Sequence, residues 1–142
     1  MAKPTLDEPL ASLLRGASFA DTADIIGPSM LRVQFGSAFV LVGTAGTALI
    51  AVAPMFRLSP KEKLGEFWHK LLLLNAEMGG VAAFAVQADG WIVLHTGRPL
   101  RGIDAGEFSA LVTAVGRFAD DFDDKLDIEF YGGKGRIAPA AE

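Results

Sequence analysis

From Arg32 to Arg57 no charged residue interrupts the chain, an apolar stretch as long as a bilayer span. Gly43-Thr44-Ala45-Gly46 breaks it in the middle, and β-branched and aromatic residues flank the break. Two long buried strands, Met30 to Val42 and Thr47 to Phe56, therefore account for it better than a membrane helix. Helical spacing takes over on either side. Ser59-Pro60-Lys61-Glu62 has the form of a capping box with proline at the first helical position. Leu64, Phe67, Leu71, Leu74 and Met78 then recur at intervals of three and four, with Trp68, Leu72 and Asn75 on the adjoining stripe. Gly79-Gly80 is the expected stop.

Asp104-Ala105-Gly106-Glu107 is a second cap, opening a helix with Phe108, Leu111, Val115, Phe118 and Phe122 on one face and an expected end near Asp124. Thr5-Leu6-Asp7-Glu8 repeats the logic at the start, with Leu6, Leu10, Leu13 and Leu14 as its stripe and Pro9 in its first turn. Val81 to Ala88 and Trp91 to Thr96 flank Asp89-Gly90, a pair that favours the left-handed turn of a hairpin. With three strands placed within Met30–Leu58 and two within Val81–Thr96, the resulting order is α-β-β-β-α-β-β-α. Strands grouped in blocks predict an α+β two-layer sandwich, a mainly antiparallel five-stranded sheet with three helices. A single domain over 1–126 is expected, followed by a glycine-rich flexible extension over 127–142.

Composition narrows the chemistry. In 142 residues there are 13 Lys and Arg against 17 Asp and Glu, a net charge of −4, and no cysteine. An acidic balance argues against general attraction to nucleic acid, and the lack of thiols excludes cysteine-ligated metal and cysteine nucleophiles. No basic, apolar leader opens the chain, so no signal peptide is expected and the reading is cytoplasmic.

No catalytic or metal-binding set stands out. His69 and His95 form no His-x-x-x-His pair. No serine lies in Gly-x-Ser-x-Gly, and Gly43-Thr44-Ala45-Gly46-Thr47 lacks the lysine of a phosphate loop. Asp120, Asp121, Asp123 and Asp124 surround Phe122 without the spacing of a calcium loop, and read as a solvated helix end. Arg98 and Arg101 read as loop charges. What remains in excess is apolar surface. Leu31, Val33 and Phe35 fall in one alternation class and Met30, Ala38, Val40 and Val42 in the other, while Trp68 and Leu72 widen the second helix. Surplus of this kind points to a second copy or a bound polypeptide.

The run Leu71-Leu72-Leu73-Leu74-Asn75, a glycine break, Val81 to Val86, Asp89-Gly90-Trp91-Ile92-Val93-Leu94, and Arg98-Pro99-Leu100-Arg101-Gly102-Ile103-Asp104 before a helix resembles the type III secretion chaperones of the Tir-chaperone (CesT-like) family. It equally resembles the related YbjN family. The likeness covers about Pro60 to Leu126. It implies a homodimeric, non-enzymatic sandwich without cofactor or metal, which holds an extended segment of a secreted effector or other protein client. On that basis Leu10, Leu13, Leu14, Leu31, Val33 and Phe35 are the expected partner-binding residues, and Trp68, Leu72, Trp91 and Val93 the expected dimer interface. A YbjN-like regulatory protein without an export substrate is the alternative. A small-molecule enzyme built on His95, Arg98 and the acidic cluster is a further one, and it requires a deep pocket joining them.

Overall fold

A computed structural model describes residues 4–135. Its elements follow the order α1 (Leu10–Arg15), β1 (Asp24–Gly27), β2 (Met30–Phe35), β3 (Ala38–Ala45), β4 (Ala48–Phe56), α2 (Leu64–Glu77), β5 (Ala83–Val86), β6 (Ile92–Pro99) and α3 (Ala105–Tyr131). The strands form one antiparallel sheet in the order β1-β2-β3-β4-β6-β5. The α+β class with an antiparallel sheet is as expected, but there are six strands, not five. The extra one, β1, holds only two large apolar residues, Ile25 and Ile26, between an aspartate and a glycine. Pairing with β2 makes it a strand; its own pattern is too short to announce it.

The apolar stretch is three strands. Gly36 adopts a left-handed φ of 57° and turns the chain between Phe35 and Ala38, which face each other across β2 and β3. That two-residue turn swaps the alternation class. Leu31 and Val33 therefore share a face with Ala38, Val40 and Val42, against the expectation that the two sets lie on opposite faces. The break expected at Gly43 falls at Gly46, φ 61°. Gly43 itself lies within β3, where a Cβ would come 2.9 Å from the Ser29 carbonyl oxygen.

All three helices cover one face. Leu49, Ala51, Ala53 and Met55 of β4, Val40 and Val42 of β3, and Ile92 and Leu94 of β6 make a single core with Leu10, Leu13 and Leu14 of α1, Phe67, Leu71 and Leu74 of α2, and Phe108, Val112, Val115 and Ala119 of α3. Burying such side chains at roughly 25 cal/mol per Å² is the main force holding the layers together. An aromatic knot closes one end. The fully buried Phe67 ring lies 6.5 Å from Phe56, 5.2 Å from Phe130 and 5.8 Å from Tyr131.

Two helix ends depart from their sequence signals. The Ser59 box does not start α2; Lys63, in the left-handed region at φ 56°, precedes the first helical residue. The Tyr131 hydroxyl donates to the Leu58 carbonyl at 2.6 Å and ties the chain before α2 to the end of α3, so the helix begins only where Phe67 and Leu71 can reach the core. α1 likewise begins late, after Pro9 at its N-cap. The Asp104 cap is as expected, its carboxylate accepting the Glu107 N–H at 2.7 Å.

α3 runs past Asp124 to Tyr131, so the start of the supposed extension is helical and its Phe130 is buried. The remainder from Arg136 onward lies outside the described residues. The acidic cluster sits inside this helix instead of at its end. Asp120 Oδ1 accepts the Ser37 N–H at 2.9 Å, and the Ser37 hydroxyl lies 2.9 Å from Asp120 Oδ1 and 2.6 Å from Asp123 Oδ2. A hydroxyl has one proton, so it serves one carboxylate at a time. The cluster thus pins the β2–β3 turn to α3.

The Tyr131 phenol gives a pH-dependent stability. Burial, and then the nearby Asp127 carboxylate, push its pKa well above the usual tyrosine range. The folded protein keeps this proton after the unfolded chain, near pH 10, has lost it. The contribution of this group to stability is therefore fully present below about pH 10 and is lost as the pH climbs above it. Urea titrations of wild type and Tyr131→Phe from pH 8 to 11 are expected to show that loss in the former and a smaller slope in the latter; equal slopes would contradict the assignment.

Candidate functional site

The face of the sheet opposite the helices has no covering element among the described residues. Its side chains stand in three rows set by the strand register. One reads Gln34, Phe39, Pro54, Val93, Ala85, the next Arg32, Leu41, Val52, His95, Ala83, and the third Met30, Gly43, Ile50, Gly97. Phe39 and Val93 stand on this face, outside the cluster packed under the helices, and both are buried, at 9% and 3% exposed. Most of the centre is apolar, and charge is confined to the flanks. Arg32 pairs with Asp24 at 3.3 Å on the β1 side, and Arg57 lies 5.6 Å from the centre of the Trp91 ring near the β5–β6 turn.

The expected partner-binding residues are brought together, but inside the molecule. Leu10, Leu13, Leu14, Leu31 and Val33 are buried between α1, α3 and the sheet. Phe35 packs on the same core, its ring filling the place where a Cβ on Gly116 of α3 would stand. The four expected dimer residues do not form one patch. Trp91 and Val93 belong to the open face; Trp68 and Leu72 lie on α2, on the other side of the sheet. Trp68 packs partly into the core, whereas Leu72 is 67% exposed. Sequence reasoning missed Phe39, Leu41, Ile50, Val52 and Pro54, because only the turn at Gly36-Ser37 decides which alternation class meets the helices.

Among the described residues, His95, Arg98 and the acidic cluster required by the enzyme alternative are not brought together. His95 is exposed on the open face. Arg98 donates to Thr96 Oγ1 at 2.9 Å and to the Gly97 carbonyl at 2.8 Å, and Asp120 and Asp123 are engaged with the β2–β3 turn. Open grooves among the described residues lie elsewhere. One of about 700 Å³ is lined by small residues of α3 and the Gly16-Ala17-Ser18 loop, with Arg117 at its side. Another, about 360 Å³, lies between α2 and α3 and includes Glu66, His69 and Glu129. Glu66 precedes His69 by three residues, a spacing that can serve a metal, yet no group of His, Cys, Asp or Glu among the described residues is arranged to hold one. No helix among them is long and apolar enough to cross a membrane.

Comparisons place this architecture among known ones. The SpcU–ExoU heterodimeric complex from the type III secretion system of Pseudomonas aeruginosa matches at TM-score 0.58 and 16% identity, over 70% of this chain and 84% of that one. The Yersinia pestis type III secretion chaperone SycH, in complex with a stable fragment of YscM2, matches at 0.51 and 18%, over 76% and 94%. A chain of the ExsC–ExsE complex matches at 0.59 and 14%, over 96% and 100%. At such identities the shared property is the fold. No curated protein matches the sequence. The model of the YbjN family, described as "Putative bacterial sensory transduction regulator", matches residues 33–127, from β2 well into α3. The chain belongs to the YbjN family.

Proposed function

We propose that this protein is a homodimeric, non-enzymatic binder of polypeptide, and that its function resides in sheet surface instead of an active site. The observation that carries the reading is the largely apolar sheet face that no helix or strand among the described residues covers. Six strands at ~4.8 Å spacing and a rise of ~3.3 Å per residue give that face a flat projection of roughly 600 Å². Corrugation by side chains brings it near the ~800 Å² that each partner buries in a standard interface. A second copy laid face to face would cover it, with Trp91 and Val93 of the expected interface on the covered face.

The client occupies a different place. Among the described residues β1 is an outer strand with no neighbour on its far side, and Ile26 of β1 and Met30 at the start of β2 are 46% and 40% exposed. An extended segment can add there, its backbone completing the ladder and alternate side chains meeting the apolar pair. Contact through Leu10, Leu13, Leu14, Leu31, Val33 and Phe35 would require α1 to leave the sheet. Charges at Leu13 or Phe35 would damage the core and could not report on binding. The chaperone complexes sharing this fold support the client reading. The family description favours a regulatory one, in which the bound polypeptide is a signalling partner instead of an exported protein.

Both readings are tested by purifying the tagged protein from its own cells. A single polypeptide at near-stoichiometric amount is expected, protecting β1 amides from hydrogen exchange and lost on Ile26→Lys; its identity separates export client from regulator. A protein that retains no polypeptide, or retains one unaffected by Ile26→Lys and without β1 protection, would refute the proposed site.

A further inference from the structure

We infer that Asn75 closes the β5 edge of the sheet against strand addition and so prevents self-association through that edge. The hairpin register shows which amides look outward. Gln87 donates to the Trp91 carbonyl at 2.8 Å, so Gln87, Ala85 and Ala83 exchange ladder bonds with β6 while Phe84 and Val86 direct their backbone groups away from it. The Phe84 N–H does not stay open. It donates to Asn75 Oδ1 at 2.6 Å, a contact made by α2 across the outer side of β5.

The acceptor is held rigidly. Leu71, Leu74 and Met78, on the turns around Asn75, are all buried, and the Phe84 side chain is itself anchored in the core. β1 at the opposite side receives no comparable bond: among the described residues none of the hydrogen bonds beyond the β1–β2 ladder reaches a backbone group of Asp24–Gly27. The two edges thus differ in kind. An outer strand with free amides is a template for pairing with another copy of itself, and Ala83-Phe84-Ala85-Val86 is short, uncharged and apolar. With Asn75 in place, an incoming β5 finds its central donor already taken. This role is independent of whether β1 accepts a client, because it concerns the other edge.

Sedimentation velocity over a concentration series, with hydrogen exchange at Phe84, tests it. Asn75→Ala is expected to form a species of twice the wild-type mass and to raise Phe84 exchange at least tenfold at low concentration. Asn75→Asp retains an acceptor and is expected to sediment as wild type. Adding Val86→Pro to Asn75→Ala removes an outward N–H without breaking a ladder bond, and is expected to restore the wild-type mass. Should Asn75→Ala not fold, Asn75→Leu, of similar size and without an acceptor, takes its place. An acceptor-less variant that sediments as wild type at every concentration, or one that stays heavy after Val86→Pro, would overturn the inference.

Discussion

Phe67→Ala is expected to lower folding stability by about 3–5 kcal/mol, the range for truncating a fully buried phenylalanine. The Phe67 ring joins three elements at once, touching Phe56 of β4 and Phe130 and Tyr131 of α3 from its place on α2. No neighbour can collapse into the space without breaking another ring contact, which places the cost toward the upper part of that range. In a chain of this size the loss corresponds to a fall in Tm on the order of 10–20 °C. Leu72→Ala, one turn and a half away, is the control: Leu72 is 67% exposed, and alanine favours the helix. Thermal melts of the two variants check the contrast. A shift below a few degrees for Phe67→Ala would mean that α2 is not packed on the sheet as described.

The second large effect is expected on association, with the fold spared. Ile50 lies on the open face, opposite Gly43 of β3 and Gly97 of β6. With Ile50→Glu, neither of these cross-strand neighbours has a side chain that could pair with the carboxylate, so a second copy laid on this face would strip its water, with partial compensation from His95 on the next row. The cost of an unpaired buried charge is several kcal/mol, enough to weaken a dimer on the order of 100-fold or more. In the monomer the same carboxylate stays in water, and a substitution at a partly exposed strand position changes stability by only about 1 kcal/mol. The expected result is a folded monomer with a near wild-type circular dichroism spectrum. A variant that unfolds would place Ile50 in the core; one that associates unchanged would remove the open face from the interface.

Local chemistry made several elements legible in the sequence. Asp104 with Glu107, Asp89-Gly90 and Gly79-Gly80 announce a cap, a hairpin and a helix stop through backbone geometry that few other residues allow, and all three are found. Features that depend on partners distant in the chain were not legible. β1 exists because β2 is beside it. α2 starts after Lys63 because Tyr131 holds Leu58, and α3 continues through an acidic run because Ser37 meets its carboxylates. The proposed binding surface was least legible: a surplus of apolar residues is visible in composition, but the class left outside depends on one turn, Gly36-Ser37. Leu31 and Val33 went to the core, while Leu41 and Val52 went to the open face.

Sedimentation equilibrium of the wild-type protein, from low micromolar to several hundred micromolar, tests most directly whether the bare apolar face is lent to another chain. A mass of twice the 15.0 kDa chain, reverting to one chain with Ile50→Glu, is the expected result. A wild-type mass of one chain at every concentration, in a protein that also holds no polypeptide from its own cells, would contradict it.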